Sequence, residues 1–161
     1  MQANLVDRER AEVVERVQRY AQERLGSDQA ELFLPFVGQY YGRVGADDLT
    51  ESTVPDLYGA VLAHLRLART GLRGEPKVAV YSPDYDEHGF ASPHTVVEVV
   101  TDDMPFLVDS LTVELRRHRL GLHVVIHPVL TVRRDGDGEP LGVVADTGEK
   151  PRSSTQTTPS S

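Results

Sequence analysis

The hydrophobic period of the chain changes near its middle. From about Leu5 to Leu72 apolar residues recur at helical spacing; from about Lys77 to Ala145 they alternate or cluster as in strands. In the first stretch Val6, Val13, Val14, Val17, Tyr20 and Ala21 share one face, with Glu and Arg between them, which predicts an amphipathic helix. Gly26 ends it, and Ser27 is placed to cap the next. That second helix carries apolar pairs four apart: Leu32–Phe33, Phe36–Val37 and Tyr40–Tyr41. Pro35 lies inside it and lacks an amide proton, so a kink or a restart is expected. A third helix starts near Pro55 with Thr53 as its cap, carries Leu57, Tyr58, Val61, Leu62 and Leu65, and stops at Gly71.

In the second stretch Lys77 to Tyr81 and His94 to Thr101 are Val-rich and predict strands, joined by a loop from Ser82 to Pro93. Met104 to Leu120 predicts a helix with Met104, Leu107, Val108, Leu111 and Leu115 on one face, ended by a left-handed Gly121. Leu122 to Arg133 reads as a long strand, Asp135 to Pro140 as a turn, and Leu141 to Ala145 as a return strand. The expected class is α+β. A three-helix lead-in (1–75) precedes an antiparallel sheet with one crossing helix (76–145), followed by a tail (146–161). If the crossing helix makes a right-handed connection, the strand order is 77–82, 93–101, 141–145, 122–133. Eight of the sixteen tail residues are Ser or Thr and none is a large apolar residue, so the tail is expected to be disordered.

Composition narrows the function classes. The chain has 161 residues, 39% of them hydrophobic, which suits one domain with a real core. Lys and Arg number 17 against 25 Asp and Glu, a net charge of −8, which argues against a nucleic-acid partner. There is no cysteine, hence no disulfide framework, thiolate metal site or cysteine nucleophile. The first ten residues are polar, and no apolar run approaches the ~20 residues of a membrane span. A soluble, cytoplasmic chain with no membrane partner is expected.

The most informative stretch is the strand-to-helix corner Val99-Val-Thr-Asp-Asp-Met-Pro-Phe-Leu-Val-Asp-Ser-Leu111. Asp103 is placed to cap the helix, a contribution of ~1 kcal/mol, and Pro105 sits in the first turn where its missing amide costs little. Asp102, Asp103, Phe106, Asp109 and Ser110 form the candidate ligand-binding set, for a cation or the amino group of an amino acid. The plainer reading of the same residues is a capped helix start. His123 and His127 lie four apart on a predicted strand, about 13 Å, too far for one metal ion to take both directly. His94 is expected beside one of them, with Asp102 or Glu98 near. His64 reads as a core-edge residue and His88 as part of a loop. No metal site and no catalytic residue are assigned, and the Gly-x-Ser-x-Gly turn of common hydrolases is absent.

Asp103-Met-Pro-Phe-Leu-Val-Asp109 resembles the Asp-x-Pro-Gly-x-Leu corner of ACT domains, small ferredoxin-like regulatory modules. Phe106 stands where that corner has its glycine, and a phenyl group there obstructs the approach of a ligand to the backbone. A longer resemblance joins His94 to Ser110 with Leu122-His-Val-Val-Ile-His-Pro-Val-Leu130. Together with Leu34-Pro-Phe-Val37, Tyr40-Tyr41 and Asp56-Leu-Tyr-Gly-Ala60, these residues are similar to the N-terminal region of the large NAD-specific glutamate dehydrogenases of bacteria. The resemblance implies an ACT/ferredoxin-like sheet. It also implies a regulatory or assembly role in an enzyme that oxidises L-glutamate to 2-oxoglutarate with NAD, the catalytic and NAD-binding domains lying downstream, so that the chain reads as truncated before them. The implied partners are the remaining domains of the dehydrogenase, or a second copy by self-association, with a small amino-acid effector. The chain's own residues agree that NAD is not bound here. Gly42-x-x-Gly45 and Gly71-x-x-Gly74 follow helices, Gly136 and Gly138 sit in a hairpin turn, and Lys77 and Lys150 are the only lysines. The alternatives are a stand-alone amino-acid-binding module and a purely structural docking segment.

Overall fold

The computed structural model describes residues 2–69, 75–137 and 140–144. Its elements are α1 (Gln2–Gln22), α2 (Ser27–Tyr41), α3 (Ala46–Thr50), α4 (Val54–Arg69), β1 (Lys77–Tyr81), α5 (Tyr85–His88), β2 (Val96–Val100), α6 (Leu107–Arg117), β3 (Thr131–Arg134) and β4 (Pro140–Val144). The α+β class holds. Gly71, Gly138, Ala145 and the tail 146–161 lie outside the described residues.

The core is helical. Val13, Val17 and Ala21 of α1, the aromatic pairs of α2, and Leu57, Val61 and Leu65 of α4 form one cluster with Val44 and Leu49. Val17, Val37 and Val61 have no exposed surface, and full burial of such side chains is worth ~1.5–3 kcal/mol each. The Tyr41 hydroxyl donates to the Leu57 carbonyl at 2.8 Å inside this cluster and binds α2 to α4. Helix α2 runs through Pro35 without restarting. Beside that proline Gln18 of α1 donates to the Leu34 carbonyl at 2.8 Å. Ser27 is the first helical residue, and Gly26 takes the cap position. Thr53 does cap α4, its hydroxyl accepting from the Asp56 amide at 3.3 Å. The short α3 was not legible in the sequence pattern.

Strands β1 and β2 pair antiparallel with Val78 opposite Val99 and Val80 opposite Val97. The expected four-stranded sheet does not form: β3 and β4 make a separate antiparallel pair that packs on α2, while the β1–β2 pair packs on α4. Each hairpin finds an apolar helix to cover one face, and that competes with joining the two. The long strand expected over Leu122 to Arg133 pairs only from Thr131. Residues 122–130 nonetheless keep a period-two alternation, with Val124, Ile126 and Leu130 packed against the helical core.

Helix α6 is shorter than expected and does not cross a sheet. It has no buried residue, Leu107 and Leu115 are half-buried, and Leu111 is exposed. Its end is also set differently. The amides of Arg119 and Leu120 return to the carbonyls of Arg116 and Leu115, the paired bonds of a Schellman motif, with Arg119 at φ 59 as the left-handed residue. Gly121 lies beyond that motif.

The loop after β1 is fastened to α4. Asp56 Oδ1 accepts from the Tyr85 hydroxyl at 2.7 Å and from the Ala91 amide at 3.0 Å, and its Oδ2 accepts from the Thr53 hydroxyl. Phe90, 3% exposed, and Gly89 lie directly over Gly59: a Cβ there would meet Phe90 Cβ at 2.6 Å and the Gly89 carbonyl oxygen at 2.8 Å. Gly59→Ala is therefore expected to destabilise the protein by about 1–3 kcal/mol through overpacking, although alanine is the better helix former. A urea titration that shows G59A as stable as the wild type would refute the close contact.

Candidate functional site

The corner singled out from the sequence is fully on the surface. Asp102, Asp103, Phe106, Asp109 and Ser110 are all exposed. Among the described residues no hydrogen bond or ion pair joins their side chains. Asp103 does not cap α6. The cap position belongs to Phe106, which has φ 62, ψ 13 and contributes no side-chain bond; its carbonyl accepts from the Ser110 amide at 2.9 Å. The backbone thus adopts a left-handed turn at the residue where the ACT corner has glycine, and a phenylalanine that is 75% exposed bears the strain.

The polar groups that the fold does bring together lie at the seam between helices and hairpin. Period-two alternation turns Lys77, Ala79 and Tyr81 of β1 toward α4, along with Val96, Glu98 and Val100 of β2. Glu98, 6% exposed, is the one buried charged residue among those described. Its Oε1 accepts from the Tyr81 hydroxyl at 2.9 Å. Across the seam Tyr40 of α2 and His64 of α4 meet with hydroxyl and Nδ1 3.1 Å apart, and His64 also hydrogen-bonds the Val99 backbone. A neutral imidazole serves both partners, donating to the carbonyl and accepting from the hydroxyl. Burial pushes the His64 pKa below its ordinary value, against opposing effects of the Glu98 charge and the Val99 bond. Burial first, and then Glu98, holds the Tyr40 and Tyr81 hydroxyls above their usual range. This seam is a set of bonds that dock the hairpin, while burial lowers the His64 pKa. Lys77 extends it, its Nζ donating to the Leu67 and Ala68 carbonyls at the end of α4 (3.4 and 3.3 Å). The sequence signal for it was an acid centred in the run Val96-Val-Glu-Val-Val100, which period two places on the inner face.

The remaining histidines have defined places. The His94 and His123 rings stack at 4.3 Å, as the expected neighbourhood required, with Glu51 rather than Asp102 or Glu98 near, 3.6 Å from His123. His88 belongs to the single turn α5 and stacks on Tyr81 at 4.3 Å. It lies with Asp84 and Glu87 in a group whose ligand atoms are within 4.8 Å of one another; Asp84 Oδ1 already accepts from the Glu87 amide and caps that turn. A cavity of about 320 Å³ opens between the end of α2 and residues 125–131, lined by Gln39, Arg43, Val125 and His127 among others. None of the five corner residues lines it.

Comparison with known proteins bears on this arrangement. The family described as "Glutamate dehydrogenase, ACT1 domain" matches residues 36–159. The chain belongs to this family. It is 38% identical over 130 residues to the NAD-specific glutamate dehydrogenase of Pseudomonas aeruginosa, covering 81% of this chain and 8% of that protein. It is equally identical over 128 residues to that of Halomonas elongata, covering 80% and 8%, and over 81 residues to that of Mycobacterium tuberculosis, covering 50% and 5%. It therefore spans under a tenth of the length of the curated relatives it matches. No solved structure matches it. Within this glutamate dehydrogenase ACT1 domain the run Asp56-Leu-Tyr-Gly-Ala60 has a structural task, since Asp56 and Gly59 hold the loop that follows β1.

Two measurements probe the site. Hydrogen bonds from Ala91, Thr53 and Tyr85 outweigh the burial of Asp56 and lower its pKa. Both His64 and Asp56 are thus depressed in the folded state. Their contributions are complete above the unfolded values, near 6.5 and 3.8, and are lost as pH falls, His64 first. Unfolding free energy is expected to decline below about pH 6.5, with the first part of the decline missing in His64→Gln. An identical slope in that variant would exclude His64 as its source. At the corner Phe106→Val is expected to cost about 1–2 kcal/mol, because a β-branched residue tolerates positive φ poorly, while Phe106→Gly is neutral or stabilising. Equal losses in both variants would show that the phenyl group, not the backbone, sets stability there.

Proposed function

We propose that this chain is the N-terminal regulatory and assembly segment of a NAD-specific glutamate dehydrogenase, acting in the cytoplasm. In this reading the oxidation of L-glutamate to 2-oxoglutarate is carried out by polypeptide outside it. The observation that carries the reading is the family match over most of the chain, joined to a fraction of only 8% of the relatives' length. The chain's own residues do not fit NAD. Its corner from β2 into α6 has no glycine and presents Asp102 and Asp103 where a pyrophosphate would need backbone amides and positive charge. Lys77 is engaged on the carbonyls at the end of α4. None of the described helices is long and apolar enough to cross a membrane.

Purified chain incubated with L-glutamate and NAD is expected to produce no NADH, and calorimetry with NAD alone no heat of binding. Turnover by the chain alone would overturn the proposal.

A further inference from the structure

The cavity between the end of α2 and residues 125–131 differs in charge from the chain as a whole. The net charge is −8, yet no aspartate or glutamate among the described residues lines this cavity, whereas Arg43 and His127 do. Arg43 makes no hydrogen bond or ion pair among the described residues. Val44, Val125, Pro128 and Val129 supply apolar wall; Val44 is buried, while Val125 and Val129 stay 51% and 55% exposed, so the cavity is open on one side. Residues 125–129 pair with no strand, and among the described residues none of their amides or carbonyls is hydrogen-bonded. Main-chain groups in that state call for a partner, either water or a ligand. The volume of about 320 Å³ falls within the range of small-molecule sites.

We propose that this cavity binds a small monocarboxylate with a short hydrocarbon body. The Arg43 guanidinium takes the carboxylate through paired N–H bonds, for which its planar fork is suited. His127 offers a ring N–H from the facing segment, and the amides of residues 125–129, Pro128 excepted, add further donors. The valine and proline walls take the hydrocarbon out of water. Helix α2 ends at Tyr41, so its negative pole lies beside Arg43 and opposes a large excess of negative charge there. A single charge on an apolar body therefore suits the cavity better than a phosphate does. The bound molecule joins the end of α2 to the segment that leads into β3, two parts that otherwise meet only through apolar packing. The open side keeps the affinity modest. The inference stands on the lining of this cavity and is independent of the regulatory reading above.

An NMR titration of the full chain with isovalerate at constant ionic strength is expected to give saturable amide shifts at Arg43 and along residues 125–129, with a dissociation constant in the millimolar range. Isovaleramide, which keeps the body and lacks the charge, and inorganic phosphate, which carries charge without the body, are expected to bind at least about fivefold more weakly. Arg43→Gln is expected to raise the isovalerate dissociation constant about fivefold or more while circular dichroism stays native, since that side chain is exposed and bonds to no described residue. Val129→Asp, also at an exposed position, sets a carboxylate in the wall and is expected to remove the saturable shifts. Saturable binding that prefers isovalerate and is weakened by both variants supports the proposal. No saturation up to about 50 mM overturns it, as do shifts confined to other parts of the chain, phosphate or the amide binding as well as the carboxylate, or binding indifferent to Arg43→Gln.

Discussion

The fold depends on the burial of one aromatic and aliphatic cluster between α1, α2 and α4. Phe33 and Tyr41 are 1% exposed, and Val17, Val37 and Val61 are sealed completely. Tyr41 adds direction to this non-directional force, because its hydroxyl reaches the Leu57 carbonyl and fixes how α2 meets α4. Neither β-hairpin encloses a core of its own. Both rest on these helices, so the first part of the chain supports the second rather than merely leading into it.

Docking on an apolar surface fixes no register. Specificity here comes from a few polar bonds at the margin of the cluster. Asp56 gathers Thr53, Tyr85 and Ala91, and Glu98 takes the Tyr81 hydroxyl. His64 stands between Tyr40 and the Val99 backbone. Leaving the buried groups, Glu98 and Tyr40, without partners costs more than making the bonds gains, which is how a small number of bonds selects one docked arrangement. The pKa of His64 is lowered by its burial, and that of Asp56 by its hydrogen bonds, which outweigh burial.

The exposed apolar residues are unevenly distributed. Beyond Leu5, Val6 and Tyr85, the large exposed hydrophobics fall on the β1–β2 face, on the stretch that holds α6, and along residues 120–129. A surface of this kind is more often completed by further protein than left to water. In the relatives the matched stretch is under a tenth of the polypeptide.

The sequence by itself determined the period of each stretch, and with it which residues turn inward. β1 falls on the expected residues, and residues 122–130 keep their predicted alternation. Asp102, Asp103, Phe106, Asp109 and Ser110 were read as one site because they are adjacent in sequence, and the fold leaves all five exposed. Tyr40, His64, Tyr81 and Glu98 are spread over four elements and meet only when the helices and hairpin dock. Which strands pair, whether α6 covers a sheet, and where left-handed residues fall were likewise decided in three dimensions. Periodicity specifies the face a side chain takes but not the surface it meets, and several surfaces of equal polarity compete for each face until packing and a few buried hydrogen bonds select among them.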